Sequence, residues 1–301
     1  MQDPNGVLIV NKHKGCTSHN IVNIVRRLYN TKQVGHAGTL DPDAEGVLVV
    51  LIGRAAKACE YLSGGAKKYS ALLRLGVTSD TEDASGILTE SNMPIPTKDE
   101  VFSIISGFYG KSLQTPPMYS ALKVKGQKLY ELARQGKTVE RESREIEIFS
   151  ISAEATDTIT DYKLFVHCSG GTYIRTLCAD IGQKLGCGGI MAELCRNEAC
   201  GFDISASHTI EQLQNMDKDA LLTIIIPTEN LFLNLPALKL EGFYENLCKN
   251  GCQIYQKKIN TKYKTGEKLR LYDSNNDFFA LGEVREYSEG TAVKAVKFFN
   301  I

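Results

Sequence analysis

Apolar residues in this chain fall into short runs and alternations rather than long stripes. The run "GVLIVNK" at 6–12 predicts a strand, and "TSHNIVNIVRRLY" after it an amphipathic helix capped by Thr17 or Ser18, with Ile21, Val25 and Leu28 on one face. "GVLVVLIG" predicts a short, fully apolar strand, and "RAAKACEYL" a helix closed by Gly64 and Gly65. "KKYSALLRLG" alternates, with Tyr69, Ala71, Leu73 and Leu75 on one face of a further strand. Thr97 and Glu100 form a capping-box pattern before "VFSIISGF", and "SREIEIFSIS" and "YKLFVHCS" are strand-like. "GGTYIRTLCADIGQKLG" predicts a helix with Ile174, Leu177, Ile181 and Leu185 on its apolar side. Together these elements predict an α+β core.

Two regions break the pattern. Residues 112–145 are polar, Pro-bearing and basic, which predicts an excursion from the core with a short helix near 127–135. A boundary falls near "NLFLNLPALKL". Beyond it a helix, "GFYENLCKNG", precedes short strands separated by "KTGEK" and "DSNND" and ending in "TAVKAVKFF". The expected organisation is a large domain over 1–232 and a small β-rich domain over 236–301.

Composition narrows the class. With 43% apolar residues in 301, the chain can bury a sizeable core. No run of about 18 apolar residues occurs and no basic segment precedes an apolar one at the start, so neither a membrane span nor a secretory signal is expected, and the cytoplasm is. The nine cysteines are an odd number without any Cys-x-x-Cys, which suits reduced, buried thiols. Cys248 and Cys252 are spaced like ligands on a helix, but lacking a second pair they are expected to be packed thiols. Net charge is zero. The charge is unevenly spread, however: residues 1–33 carry five Lys/Arg against one acid, 121–145 seven against four, and 235–301 eleven against eight. Compensating acid lies in "TSDTEDASG" and in 201–234. Such a chain can bind a polyanion on one face, although solvated faces give the same asymmetry.

The segment "GHAGTLDPDAEG" at 35–46 packs little and is placed to present something. Asp41 precedes Pro42, which sets it extended, while the glycines let the backbone turn sharply. A carboxylate is thereby held at the mouth of a strand, as an aspartate that merely caps a turn also would be. Arg175 in "GTYIRTL" can keep such a carboxylate ionised, or form an ordinary surface pair.

These residues carry a resemblance. "GHAGTLDPDAEGVLVVLIGRAAK", "KKYSALLRLGVTSDTEDASG", "QTPPMYSALKVKGQKLYELARQGKTVE" and "CSGGTYIRTLCADIGQKLG", with the opening "GVLIVNKHKGCTSHNIV", resemble in order the motifs of the TruB-type tRNA pseudouridine-55 synthase family. They span nearly the whole of the first 200 residues, and the tail looks like a PUA domain, a small RNA-binding barrel. The resemblance implies a pseudouridine synthase fold, a central mixed and mainly antiparallel sheet flanked by helices, with a PUA-like β-barrel appended. It implies that uridine 55 in the tRNA T-loop is flipped out and its base detached, turned and rejoined through C5. That reaction needs no redox step, phosphate donor or metal, so no cofactor is expected; the chain has no GxGxxG, no GxxxxGK and no metal-ligand cluster. Asp41 matches the essential aspartate, acting on the sugar–base bond as carboxylates do in glycoside hydrolysis. Whether it attacks C1′, attacks the base or serves a route through C2′ deprotonation stays open at this point.

By the same resemblance Tyr69 packs on the target base, Arg175 pairs with Asp41, Leu194 walls the pocket and Lys12 supports the active-site loops. His36 matches a histidine that enters the tRNA loop where the flipped base left the stack. The basic residues of the excursion, Lys123, Lys125, Lys128, Arg134 and Arg141, would meet phosphates. The implied partner is the tRNA T-stem loop, with no membrane and no obligate protein partner, and the protein is expected to be a monomer. The chain departs from the family pattern at Asn11 and His13 around Lys12, at Asn20, and at Cys195 between Leu194 and Arg196. None of these is Asp41, Tyr69 or Arg175. Other readings share the residues: a non-catalytic tRNA-binding or folding protein, a base-releasing hydrolase, and a guide-RNA-dependent pseudouridine synthase.

Overall fold

The computed structural model describes residues 3–62, 64–120, 122–124 and 126–300. A ten-stranded mixed sheet forms its centre among the described residues. From one edge its main path runs His208–Thr209, Gly6–Lys12, Glu45–Ile52, Gly189–Ala199, Lys67–Leu75, Asp161–Cys168, Arg144–Ala155 and Gly110–Gln114. Pairing is antiparallel except where Gly6–Lys12 meets His208–Thr209 and where Glu45–Ile52 meets Gly189–Ala199.

The continuous apolar run of Glu45–Ile52 follows from cover on both faces. Val47, Val49 and Leu51 face one cluster with Val7, Ile9, Ala55 and Ala58; Leu48, Val50 and Ile52 face another with Ile21, Val22 and Val25 of the helix Ser18–Leu28. The alternating strand Lys67–Leu75 instead buries Tyr69, Ala71, Leu73 and Leu75 against the helices Lys98–Ser106 and Ile174–Leu185. Thr17 caps the first helix in a reciprocal box with Asn20, so this asparagine serves as part of the cap.

Several expectations are corrected. The strand Gly189–Ala199 lies at the middle of the sheet but is not legible in the sequence: Glu193, Arg196, Asn197 and Glu198 mask its alternation, and its pairing with Lys67–Leu75 shifts register twice. The excursion is narrower than 112–145, because Gly110–Gln114 and Arg144–Ala155 pair at its ends and leave 115–143 outside the sheet. Its helix is Leu129–Ala133. "RAAKACEYL" forms a 3-10 segment, Gly53–Ala58, and one α-turn, Cys59–Leu62. Cys248 is buried, whereas Cys252 is exposed and is no packed thiol.

The tail forms a five-stranded sheet in the order Ala237–Lys239, Lys268–Tyr272, Phe278–Tyr287, Gly290–Phe298 and Ile254–Tyr255, a curled half-barrel with two unpaired edges. It shares a core with the rest. Phe232 touches Tyr61, Phe278 and Phe299, and Leu281 and Phe299 join the cluster that contains Val7 and Val49. Lys297 pairs with Glu60, and the Tyr272 hydroxyl donates to Glu229 at 2.6 Å. Phe232→Ala removes a ring that both sheets bury, and is expected to cost about 3–5 kcal/mol. Calorimetry should show the whole chain melting several degrees lower in one transition; loss confined to an independent low-temperature transition would contradict the shared core.

Candidate active site

The segment Gly38–Ala44 joins the strands Val34–Ala37 and Glu45–Ile52 and carries Asp41. Five successive carbonyl oxygens in it accept hydrogen bonds. Arg196 donates to Gly38 and Thr39 at 3.0 and 3.4 Å and to Val47 at 2.7 Å. The Ser18 hydroxyl donates to Leu40 O at 3.1 Å and accepts from Leu40 N–H at 2.9 Å. Ala44 N–H donates to Asp41 O, and Pro42 O accepts from Lys12 Nζ at 2.9 Å and from Gly15 N–H at 3.0 Å. The remaining two donors of Lys12 reach His13 O and Cys16 O, so a lysine with no exposed surface is saturated by carbonyls. Burial lowers its pKa; the charges of Cys16, Asp43, Asp41 and Glu45 oppose this. Gly46 follows in a left-handed conformation, φ 101°, and a Cβ there would overlap the Arg196 carbonyl.

Asp41 therefore projects from a loop whose carbonyls are tied from Gly38 through Pro42. Its side chain is 39% exposed at the mouth of the strand and faces Arg175, which is 6% exposed. Arg175 Nε lies 3.0 Å from one carboxylate oxygen and Nη2 3.4 Å from the other. The same guanidinium donates to Tyr119 O at 2.9 Å and Thr81 O at 3.4 Å, and lies 3.6 Å from Asp83. Asp83 is itself fixed by the hydroxyls of Thr81 and Ser85, each donating at 2.6 Å. Arg175 thus bridges two carboxylates. Burial pushes the Asp41 carboxyl above the ordinary aspartate range and Asp83 adds to this, while Arg175 pulls it back down.

Tyr69, Leu194, Leu40 and Ala44 share one apolar cluster around this loop, and Tyr69 and Leu194 are each 8% exposed. Burial raises the Tyr69 phenol, and Arg196, which hydrogen-bonds it, works the other way. His36 is half-buried on Val34–Ala37, its Nδ1 without a partner among the described residues; burial and the Arg196 charge lower its pKa. Asp41, Arg175, Tyr69, Leu194 and Lys12 are thus brought together.

The basic residues of the excursion are not one cluster. Lys128 and Arg134 flank the Tyr130 ring at 5.4 and 5.5 Å, with Arg134 exposed. Arg141 is half-buried and donates to Pro116 O at 2.9 Å. Lys125 lies outside the described residues, and so does the side chain of Lys123. Sequence reasoning misses Arg196, 1% exposed, and Asp83, which reads in the sequence only as compensating acid. No local pattern in the sequence points to Arg196, because the strand that carries it is itself masked by polar residues. Among the described residues no group of three His, Cys, Asp or Glu side chains is placed to hold a metal ion, and no helix is long and apolar enough to cross a membrane.

Lys12→Met would strip a donor from the carbonyls of His13, Cys16 and Pro42, the last of which keeps Gly15 N–H, with an expected overall loss of about 1–3 kcal/mol. Urea unfolding should show a lower midpoint with an unchanged slope; an unchanged midpoint would contradict the clamp.

Residues 26–174 match the model of the TruB family pseudouridylate synthase N-terminal domain, and residues 175–233 that of the tRNA pseudouridylate synthase B C-terminal domain. The tRNA pseudouridine synthase B of Alkaliphilus oremlandii is 40% identical over 284 residues, covering 93% of each chain. That of Clostridium kluyveri is 39% identical over 295 residues, covering 98% of this chain and 99% of the relative. In fold, the chain is similar to one in a structure of an H/ACA RNP bound to a substrate RNA containing 2′-deoxyuridine, with a TM-score of 0.74 at 21% identity over 99% of this chain and 86% of the other. With both family models lying end to end across the Asp41 loop, the central strand and the Arg175 helix, the chain belongs to the TruB family of pseudouridylate synthases.

Proposed function

We propose that the protein converts uridine to pseudouridine in tRNA, with uridine 55 of the T-loop as its target, acting as a cytoplasmic monomer without an obligate protein partner. The relatives that share about 40% of its residues over most of its length are named tRNA pseudouridine synthase B, which supports the substrate class. The observation that carries the reading is a half-exposed aspartate held on a buried arginine between apolar walls.

That arrangement suits the chemistry. Detaching uracil from C1′ leaves a cation-like sugar, which an adjacent carboxylate meets as nucleophile or as counter-charge. In any of the routes open to the family, the ionised form of Asp41 is the one used, and Arg175 opposes its protonation. The bond must re-form at C5 without capture by water, so the sugar needs dry surroundings. Leu40, Tyr69 and Leu194 supply apolar surface beside the carboxylate. The base must leave the stack to reach Asp41; His36, on the strand leading into the loop, is positioned to take its place. Lys123, Lys125, Lys128 and Arg134 are proposed phosphate contacts, and the tail beyond 236 a second RNA-binding unit. A purely RNA-binding protein has no use for a carboxylate of raised pKa bridged through a buried arginine to a second one, which favours catalysis over the binding-only reading.

Asp41→Asn is expected to abolish pseudouridine formation at position 55 of an unmodified tRNA transcript, mapped by carbodiimide-dependent reverse-transcriptase stops, while tRNA binding stays within about twofold of the parent. Normal turnover by the variant would sink the assignment, and free uracil in the reaction would point to a hydrolase.

The pH dependence follows from the raised Asp41 pKa. Rate falls as pH drops through that pKa, so the acid limb should sit above the ordinary value of about 4. Arg175→Gln removes the charge that lowers this pKa and should move the limb to higher pH as well as slow the plateau. Single-turnover rates across pH test this; a limb that stays in place or moves down contradicts it.

A further inference from the structure

The excursion 115–143 is tied at its base to the helix that carries Arg175. Gln114 bonds Tyr173 in both directions, its amide donating to Tyr173 O at 3.0 Å and its oxygen accepting Tyr173 N–H at 2.8 Å; Tyr173 caps that helix two residues before Arg175. The Thr115 and Ser143 hydroxyls meet at 2.8 Å across the base. Arg141 Nη1 donates to Pro116 O at 2.9 Å, and three residues on, Tyr119 O accepts from Arg175 Nη2 at 2.9 Å. The guanidinium that holds Asp41 is thus also bound to the backbone of the excursion.

Arg141 is engaged at this base through the bond of its guanidinium to Pro116 O. It is half-buried, and its Nε is buried without a partner among the described residues. Within reach of its charge is Glu82, whose backbone is left-handed at φ 64° and whose carboxylate accepts from the Thr176 hydroxyl at 2.5 Å, one residue past Arg175. Burial raises the Glu82 carboxyl, while Thr176, Arg175 and Arg141 counter it. Strained backbone held by such contacts is a mark of a segment whose position matters.

Resting on the proposed function, we propose that Arg141 is a positioning residue: it closes the base of the excursion so that Tyr119 O stays on Arg175, and it acts on the rate of bound tRNA rather than on tRNA affinity. This separates it from Lys128 and Arg134, whose setting around Tyr130 leaves them to phosphates. Removing one phosphate-binding cation from a nucleic-acid interface lowers the slope of log Kd against log salt by about 1. Removing a positioning residue leaves that slope unchanged and lowers the rate at saturation.

The test measures tRNA affinity from low to moderate salt and single-turnover pseudouridine formation at saturating enzyme for the full chain, Arg141→Gln, Arg141→Lys and Arg134→Gln. Arg141→Gln is expected to keep the parental Kd and salt slope and to lose rate about tenfold, as a misplaced catalytic group does. Lysine, which retains a donor for Pro116 O, should restore part of that rate, and Arg134→Gln, which removes a proposed phosphate contact, should lower the salt slope by about 1. A lower salt slope with full rate for Arg141→Gln overturns the proposal, and so does no change in either. Should Arg141→Gln fail to fold, Thr115→Val opens the same base without removing charge and must reproduce the rate loss at parental affinity. Absence of pseudouridine from the parent chain would instead remove the proposed function, while the salt slopes still report whether Arg141 meets phosphate.

Discussion

The loop Gly38–Ala44 presents few side chains for packing, so its shape depends on where its carbonyl oxygens are tied. Two buried cations do most of the tying: Arg196 from the central strand and Lys12 from Gly6–Lys12, on the far side of Glu45–Ile52, hold the two sides of Asp41. Both cations are costly to bury, and the carbonyls they satisfy offset that cost only when every donor is used. For Lys12 all three are. The arrangement therefore tolerates little displacement, which is what a carboxylate aimed at one glycosidic bond requires.

From that constraint the rest of the site follows. Gly46 has no side chain because Arg196 must pass close to the backbone, and Ser18 opens the first helix because its hydroxyl has to reach Leu40. Arg175 approaches from the other half of the sheet and meets Asp41 only because Gly189–Ala199 joins the two halves, pairing with Glu45–Ile52 on one side and Lys67–Leu75 on the other. The apolar cluster of Leu40, Tyr69 and Leu194 closes the same junction. The sheet, the two cations and the bridging arginine form one mechanical unit around a single carboxylate.

Legibility in the sequence tracks the range of the interactions. The alternation of Lys67–Leu75, the apolar side of Ile174–Leu185 and the caps at Thr17 and Thr97 are local patterns, and the structure has them where the patterns put them. Asp41, Tyr69 and Arg175 stand out through family motifs, and Asp41 also through its Pro and Gly neighbours. Gly189–Ala199 is hidden, since its polar residues interrupt the period-2 pattern, and Arg196 is hidden with it. A cation satisfied by main-chain carbonyls leaves no acidic partner to betray it in the sequence. Asp83 is obscured for the converse reason: an acid among acids in "TSDTEDASG" shows nothing of the arginine 92 residues further on, whose guanidinium lies 3.6 Å away.

The most direct test of this account is a crystal structure of Arg196→Met together with its single-turnover rate. If the buried cations set the loop, the variant folds with Gly38 and Thr39 displaced, the Asp41 carboxylate drawn off Arg175 by about 1 Å or more, and a rate lower by about a hundredfold. A loop that keeps its course and a rate close to the parent's would show that Asp41 is positioned by something other than its tied carbonyls.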